Sequence, residues 1–345
     1  MNERPLLSIV MPVFNHAELT RHMIESIRAN DFQTWELLVV DDGSDADTLS
    51  MLNALAASDD RLYILHRNCL PKGAQTCRNI GFEQVRGEYV IFFDNDDYVL
   101  PHCLRSRVMA LQTHPELDFM VFPSGIVTNN TYSAVAGEYS YGYHIYRDDV
   151  DAFARRLLPF VVWNNIYRTQ SLRQAGIRWD EQLLSLQDAD FNMQTLVAGL
   201  RYDYSQGEAD MGYRIDASSG SVSKKQRSKE HQASTLYAME KFYRMLSAHA
   251  GSKYRTALFF GVLSYYNRIM TDGIDREYAE GMVRLVRRYS PFYGLLFHIA
   301  VRTTEILECI LPRKMARQIP MTLHLIDYRY RIRQKISKIQ KLQRT

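Results

Sequence analysis

Apolar residues come in short continuous runs over the first hundred positions, and polar residues gather where those runs stop. Leu6 to Val13, Trp35 to Val40, Leu62 to Leu65 and Tyr89 to Phe93 each read as a buried strand. Between them the spacing changes to a helical one. Leu19, Met23 and Ile27 share one face of a helix over Glu18 to Asn30, and Leu49, Leu52 and Leu55 mark a second. Ala74 to Val85 reads as a third helix, with Gly87 expected to end it. Strands alternating with helices predict an α/β fold: a Rossmann-like, mostly parallel central sheet with helices on both faces. In such sheets ligands bind beyond the carboxyl ends of the strands. Asn15, Asp42, Asp94 and Asp96 all follow predicted strands and can converge there.

From about Leu117 the pattern loosens. Residues 124 to 146 are rich in Tyr, Ser, Asn and Gly, Val161 to Arg168 is compact and aromatic, and Phe191 to Ala198 looks helical. After Ala217 a polar stretch, SSGSVSKKQRSKEHQ, leads into a strongly helical remainder. A boundary near this linker divides the chain into a catalytic domain over 1–216 and a mainly helical region over 217–345. Within the first, a nucleotide-binding half would cover about 1–115 and an acceptor half about 116–216.

Composition narrows the classes. A chain of 345 residues exceeds what one compact core usually holds, and a net charge of only +3 argues against nucleic acid as a partner. The four cysteines, Cys69, Cys77, Cys103 and Cys309, form no C-x-x-C and read as reduced thiols of a cytosolic protein. The N-terminal MNERPLLSIVMPVFN reads as a strand and not as a signal peptide, and Pro291 to Val301 is too short and too soon charged to span a bilayer. The expectation is a cytoplasmic protein that can lie on a membrane. No G-x-G-x-x-G, P-loop, H-E-x-x-H or G-x-S-x-G occurs, so phosphates would have to meet a metal and side chains such as Lys72, Arg78 and Asn79.

Asp94-Asn95-Asp96 places two carboxylates just past a buried strand, where both can face a hard cation such as Mg2+ or Mn2+. An Asp-rich turn with Asp97 capping the next helix is the other use of these residues. Asp41-Asp42-Gly43-Ser44 offers carboxylates to a base or ribose, with Ser44 and Asp45 equally suited to capping. Asp188 and Asp190 precede an apolar helix, as a base or as caps.

The ordered blocks Ser8-Ile9-Val10-Met11-Pro12-Val13-Phe14-Asn15, Val39-Val40-Asp41-Asp42-Gly43-Ser44, Cys77-Arg78-Asn79-Ile80-Gly81 and Gly87-Glu88-Tyr89 through Asp97 resemble the family 2 glycosyltransferases. Trp163-Asn164-Asn165-Ile166-Tyr167-Arg168 and Gln187-Asp188-Ala189-Asp190-Phe191 continue the likeness, which covers roughly residues 6 to 225. It implies the A-type glycosyltransferase fold and an inverting, single-displacement transfer from a nucleoside-diphosphate sugar, usually a UDP-sugar. Pro12, Val13 and Asn15 would then lie near the nucleotide, Asp42 on the base, and Arg78, Asp94 and Asn95 along the donor. Asp94 and Asp96 would hold the Mn2+ or Mg2+, and Asp188 would be the catalytic base. The chain departs from the family pattern at Gln187, where a Glu is common, and at Asn165, where a Lys is common. Tyr213-Arg214 through Ser221 resembles the family segment that precedes a mobile loop over the donor, so Lys224, Lys225 and Arg227 would touch the diphosphate or belong to a solvated linker.

Relatives of this kind suggest a saccharide or lipid-linked saccharide acceptor in bacterial cell-surface polysaccharide or lipopolysaccharide biosynthesis. Other readings of the same residues are a nucleotidyltransferase acting on sugar phosphates and an inactive, membrane-associated assembly partner. Beyond residue 312, ten Lys and Arg face one acid, Asp327, while Leu325, Tyr328, Ile332, Ile336, Ile339 and Leu342 keep helical spacing. A basic amphipathic end like this suits the anionic inner surface of the cytoplasmic membrane, or packing on protein.

Overall fold

The computed structural model describes residues 4–134, 141–215, 228–270 and 276–316. The expectations for Lys224, Lys225, Arg227 and the basic segment beyond residue 316 fall outside the described residues.

The predicted alternation forms. Strands β1 (Leu7–Val13), β2 (Trp35–Asp41), β3 (Leu62–His66) and β4 (Tyr89–Phe92) alternate with helices α1 (Ala17–Arg28), α2 (Ala46–Ala57) and α3 (Ala74–Gln84). Every residue of β1 and β2 is buried, as continuous apolar strands covered on both faces must be. α1 turns Thr20, Met23, Ile24 and Ile27 inward, and α2 is capped by Asp45, whose carboxylate accepts the N–H of Thr48 at 2.9 Å.

After β4 come β5 (Tyr98–Val99), α4 (Cys103–Gln112), β6 (Phe119–Val121), β7 (Gly125–Thr128), β8 (Thr131–Ser133), α5 (Asp149–Ala154), β9 (Asn165–Arg168), α6 (Thr169–Gln174), α7 (Gln187–Val197), β10 (Tyr202–Tyr204) and β11 (Met211–Arg214). The main sheet has seven strands in the order β10-β6-β9-β4-β1-β2-β3. All its pairings are parallel except those of β9, which runs antiparallel between β4 and β6. β5-β11-β7-β8 form a smaller sheet. The chain builds β2 and β3 on one side of β1 and then returns to place β4 on the other, so a crevice opens at the carboxyl ends of β1 and β4.

Gly87 does not cap α3 as expected. The helix ends at Gln84, and a Cβ at Gly87 would lie 2.6 Å from the backbone nitrogen of Ser8. The glycine is required where the chain passes against β1 on its way into β4, and its N–H donates to Ser8 Oγ at 2.8 Å.

The C-terminal region is helical where described: α8 (Lys229–Ala250), α9 (Arg255–Met270), α10 (Arg276–Tyr289), α11 (Pro291–Glu308) and the single turn α12 (Arg313–Ala316). Phe242, Leu258, Tyr265 and Phe297 from these helices join Val10, Phe92, Phe119 and Phe191 in one buried cluster on one face of the main sheet. Ile9, Val39, Ile91, Met23, Leu52 and Leu104 fill the other face.

Candidate active site

The turn after β1 puts Asn15 and His16 in left-handed backbone conformations, at φ 60° and 61°. Asparagine tolerates this region better than most residues. The two strand-end turns are laced together: Ser44 Oγ accepts the N–H of Asn15, and Asn15 Oδ1 accepts the N–H of Asp45, both at 2.9 Å. Ser44, weighed as a cap, is instead a brace for Asn15. Pro12 and Val13 are buried in β1 beneath this turn, while Phe14 is exposed and carries the Lys72 ammonium 3.6 Å above its ring.

At the end of β2 the two aspartates divide. Burial works to raise the pKa of Asp41, but hydrogen bonds from Ser44, His66 and Gly43 prevail and lower it. Asp42 lies beside β1, its N–H bonded to Val13 O at 2.8 Å, and its carboxylate accepts from Arg67 Nε. Arg67 follows β3, so its place at a strand end is the signal by which it could have been found. The thiol of Cys77, beside Asp42, is pushed up to about 12 by burial and by that carboxylate, so it is inert.

Residues 94–97 join the main sheet to the small one, between β4 and β5. Asp94 is partly exposed and paired with Arg78 Nη2. Asn95 Nδ2 donates to Thr20 Oγ1 of α1 at 2.7 Å. Asp96 is half-buried, and burial together with the charge of Asp94 pushes its pKa up to about 6. Asp97 is not the turn or cap residue it was expected to be. It is buried, α4 begins without any side-chain cap, and Asp97 Oδ1 accepts the N–H of Arg214 at 3.1 Å. Its other oxygen is buried without a partner among the described residues, and burial with Asp96 and Asp94 raises its pKa well above the usual range. Arg214, part of the block before the expected donor loop, also donates from Nε to Asp96 O at 2.9 Å.

Asp188 lies in the first turn of α7, yet neither it nor Asp190 caps that helix. The N-cap position is Leu186, at φ 61° and without a side-chain bond. Burial raises the pKa of Asp188 to about 6, with Arg78 pulling it down and Asp94 pushing it up. Arg78 connects these groups. Its Nη2 holds Asp94, its Nη1 reaches Gln187 Oε1 at 3.4 Å, and its guanidinium lies 4.3 Å from the centre of the Trp179 ring. The glutamine that replaces a common Glu is therefore an acceptor for this arginine. Asn79, expected as a phosphate contact, has its amide taken up by Trp179 and Glu181 instead. Asn165 is buried, donating to Tyr167 Oη at 2.7 Å and to Asn192 Oδ1 at 3.2 Å.

Among the described residues no three His, Cys, Asp or Glu side chains are grouped to hold a metal ion. Asp94 and Asp96 nevertheless supply hard oxygen donors of the kind Mg2+ takes, one or two carboxylates completed by substrate phosphates. Burial first and the neighbouring Asp94 charge second raise Asp96, and a divalent cation held by the two carboxylates would offset both.

A family model described as Glycosyl transferase family 2 matches residues 8–173. These residues are a family 2 glycosyltransferase domain. The chain is 40% identical over 101 residues to the GalNAc(5)-diNAcBac-PP-undecaprenol beta-1,3-glucosyltransferase of Campylobacter jejuni, a match that spans 29% of this chain and 32% of that one. In fold, it superposes on Staphylococcus aureus TarS 1–349 in complex with UDP-GlcNAc with a TM-score of 0.68, at 16% identity over 92% of this chain and 91% of that one. A mannosyltransferase of Pyrobaculum calidifontis in complex with GDP-Man and Mn2+ superposes at 0.50, with 14% identity over 94% of this chain and 88% of that one. The architecture is thus the A-type glycosyltransferase fold with a helical C-terminal region.

Proposed function

We propose that the chain is an inverting glycosyltransferase that moves a sugar from a nucleoside-diphosphate sugar, a UDP-sugar by preference, to a saccharide or lipid-linked saccharide in cell-surface polysaccharide or lipopolysaccharide assembly. The observation that carries this reading is Asp188. It is a buried carboxylate in the first turn of α7, raised to about 6 by burial, with Arg78 lowering it and Asp94 raising it, so it lies beside the ion pair that those two residues make. The acceptor hydroxyl gives its proton to Asp188 as its oxygen bonds to the anomeric carbon. The bond from that carbon to the β-phosphate oxygen breaks on the opposite side, and the configuration inverts. Asp42, backed by Arg67, is suited to a base N–H or ribose hydroxyl, with Pro12, Val13 and Asn15 shaping the same end. Asp94 and Asp96 would hold Mn2+ or Mg2+, which supplies charge stabilisation at the leaving diphosphate.

The neighbours support the substrate classes: UDP-GlcNAc in TarS, GDP-Man with Mn2+ in the archaeal enzyme, and an undecaprenyl diphosphate-linked saccharide in the name of the Campylobacter relative. We place the protein on the inner face of the cytoplasmic membrane as a peripheral protein. Among the described residues no helix is long and apolar enough to cross a bilayer.

The test is a panel of nucleotide sugars with Mn2+ or Mg2+, following nucleoside-diphosphate release by the protein and by Asp96→Ala. Metal-dependent release from one donor, lost in the variant, is expected. Release that survives in Asp96→Ala would refute the metal assignment, and pyrophosphate release from a nucleoside triphosphate and a sugar phosphate would refute the reaction class.

A further inference from the structure

The segment that carries Asp188 is gripped by the C-terminal helix α8, and both lie beyond the residues that the family model matches. Four side chains on one side of α8, spaced three, three and four residues apart, reach residues 180–190. Ser234 Oγ accepts two backbone N–H groups, from Leu184 at 2.8 Å and Ser185 at 3.3 Å. His231 Nδ1 pairs with Ser185 Oγ at 2.8 Å. Tyr237 donates to Asp180 Oδ2 at 3.1 Å. Lys241 Nζ bridges Asp180 Oδ2 at 2.7 Å and Asp190 Oδ2 at 2.8 Å, so one cation spans both ends of the segment.

Between these anchors the backbone is in an unfavourable state. Leu186 is left-handed at φ 61°, a conformation that a side chain of this size keeps only where its surroundings impose it. Asp188 follows two residues later. From the opposite side Asn79 of α3 fixes the backbone at Trp179, accepting its N–H at 3.1 Å and donating to its carbonyl at 2.9 Å. Asp190 is almost fully buried and Lys241 is its cationic partner: burial raises the Asp190 pKa and Lys241 opposes the rise.

We propose that α8 sets the position of Asp188, with Lys241 and Ser234 as positioning residues; this rests on Asp188 being the base. A base displaced by about 1 Å can lose on the order of a hundredfold in rate. The grip therefore acts on turnover and leaves the donor end, built from β1, β2 and β4, as it is. On this proposal α8 acts on catalysis through Asp188.

The experiment compares Lys241→Met, Lys241→Arg and Ser234→Ala with the natural protein in steady-state release of nucleoside diphosphate and in amide hydrogen exchange. Lys241→Met and Ser234→Ala are expected to lower kcat by roughly ten- to a hundredfold while KM for the donor stays within about twofold. Exchange over residues 184–190 should speed up by about tenfold or more, with β1 and β2 unchanged. Lys241→Arg, which keeps a cation between the two carboxylates, should recover most of kcat. Should Lys241→Met fail to fold, Ser234→Ala decides alone. Unchanged exchange over 184–190 overturns the proposal. So does faster exchange with kcat within about twofold of the natural protein, or a loss of donor affinity in step with kcat. Absence of turnover in the natural protein would be a failure of the transferase reading instead, and exchange would still show whether α8 holds the segment.

Discussion

A carboxylate that must take a proton near neutral pH works best when its own pKa is close to that pH. Asp188 meets this because burial raises it and Arg78 limits the rise, to about 6. In the proposed role the ionised form acts as the base, so kcat should climb about tenfold per pH unit below 6 and level off above it. Asp188→Asn should abolish that limb and lower kcat by about three orders of magnitude or more, while UDP affinity, proposed to be set at the ends of β1 and β2, stays within about threefold. A variant that keeps the limb would assign the titration to another group. At this scale Asn15, Asp42, Asp94 and Asp96 were legible because each follows an apolar run that could only be a strand. Their partners were not. Arg67 reaches Asp42 from 25 residues away, and Arg214 reaches Asp96 from 118, distances over which spacing carries no signal. Asp97 was misread for the same reason: next to a turn it looks like a cap, and only the arrival of the Arg214 backbone gives it a different bond.

The elements show where local pattern stops deciding. β1, β2 and β4 announce themselves as continuous apolar runs, and the helices between them by their inward stripes. β9 does not, because what makes Asn165–Arg168 a strand is its insertion between β4 and β6, with Tyr89 opposite Arg168 and Phe119 opposite Tyr167. Its antiparallel direction follows from that long-range pairing. The seating of the C-terminal helices is equally non-local. α9 lies so close to α5 that a Cβ at Gly261 would fall 2.1 Å from the carbonyl oxygen of Ala154, and backbone there cannot yield as a side-chain tip could. Gly261→Ala should therefore destabilise the protein by about 1–3 kcal/mol despite alanine's better helix propensity, read as a lower urea midpoint. A midpoint equal to or above that of the natural protein would mean that α9 is not held against α5 in solution.

For the whole molecule the question is what the outer side of the helical region faces. On α11 the inward residues are Gly294, Phe297, Ala300, Val301 and Thr304. The outward ones include Phe292, Leu295, Ile299 and Ile306, and the row runs on to Ile310, each at least 52% exposed. Their spacing of three, four, seven and four residues keeps them on one side of a helix. An apolar row of this size facing water needs a partner. The chain that follows supplies the reason to choose an anionic lipid surface: from Arg313 to Arg344 it carries ten Lys and Arg against one acid, so apolar insertion and electrostatic attraction are adjacent in one stretch. Each isoleucine moved out of water contributes about 1.5–3 kcal/mol, so replacing two should be felt strongly. The natural protein should float with phosphatidylglycerol vesicles and not with purely phosphatidylcholine ones, less so as salt rises. Ile299→Asp with Ile306→Asp should lower binding by about tenfold or more without changing nucleoside-diphosphate release in detergent. Binding equal to that of the natural protein would remove α11 from the membrane face. If the row instead joins two copies, the natural protein would sediment as a dimer and the double variant as a monomer, with flotation unchanged.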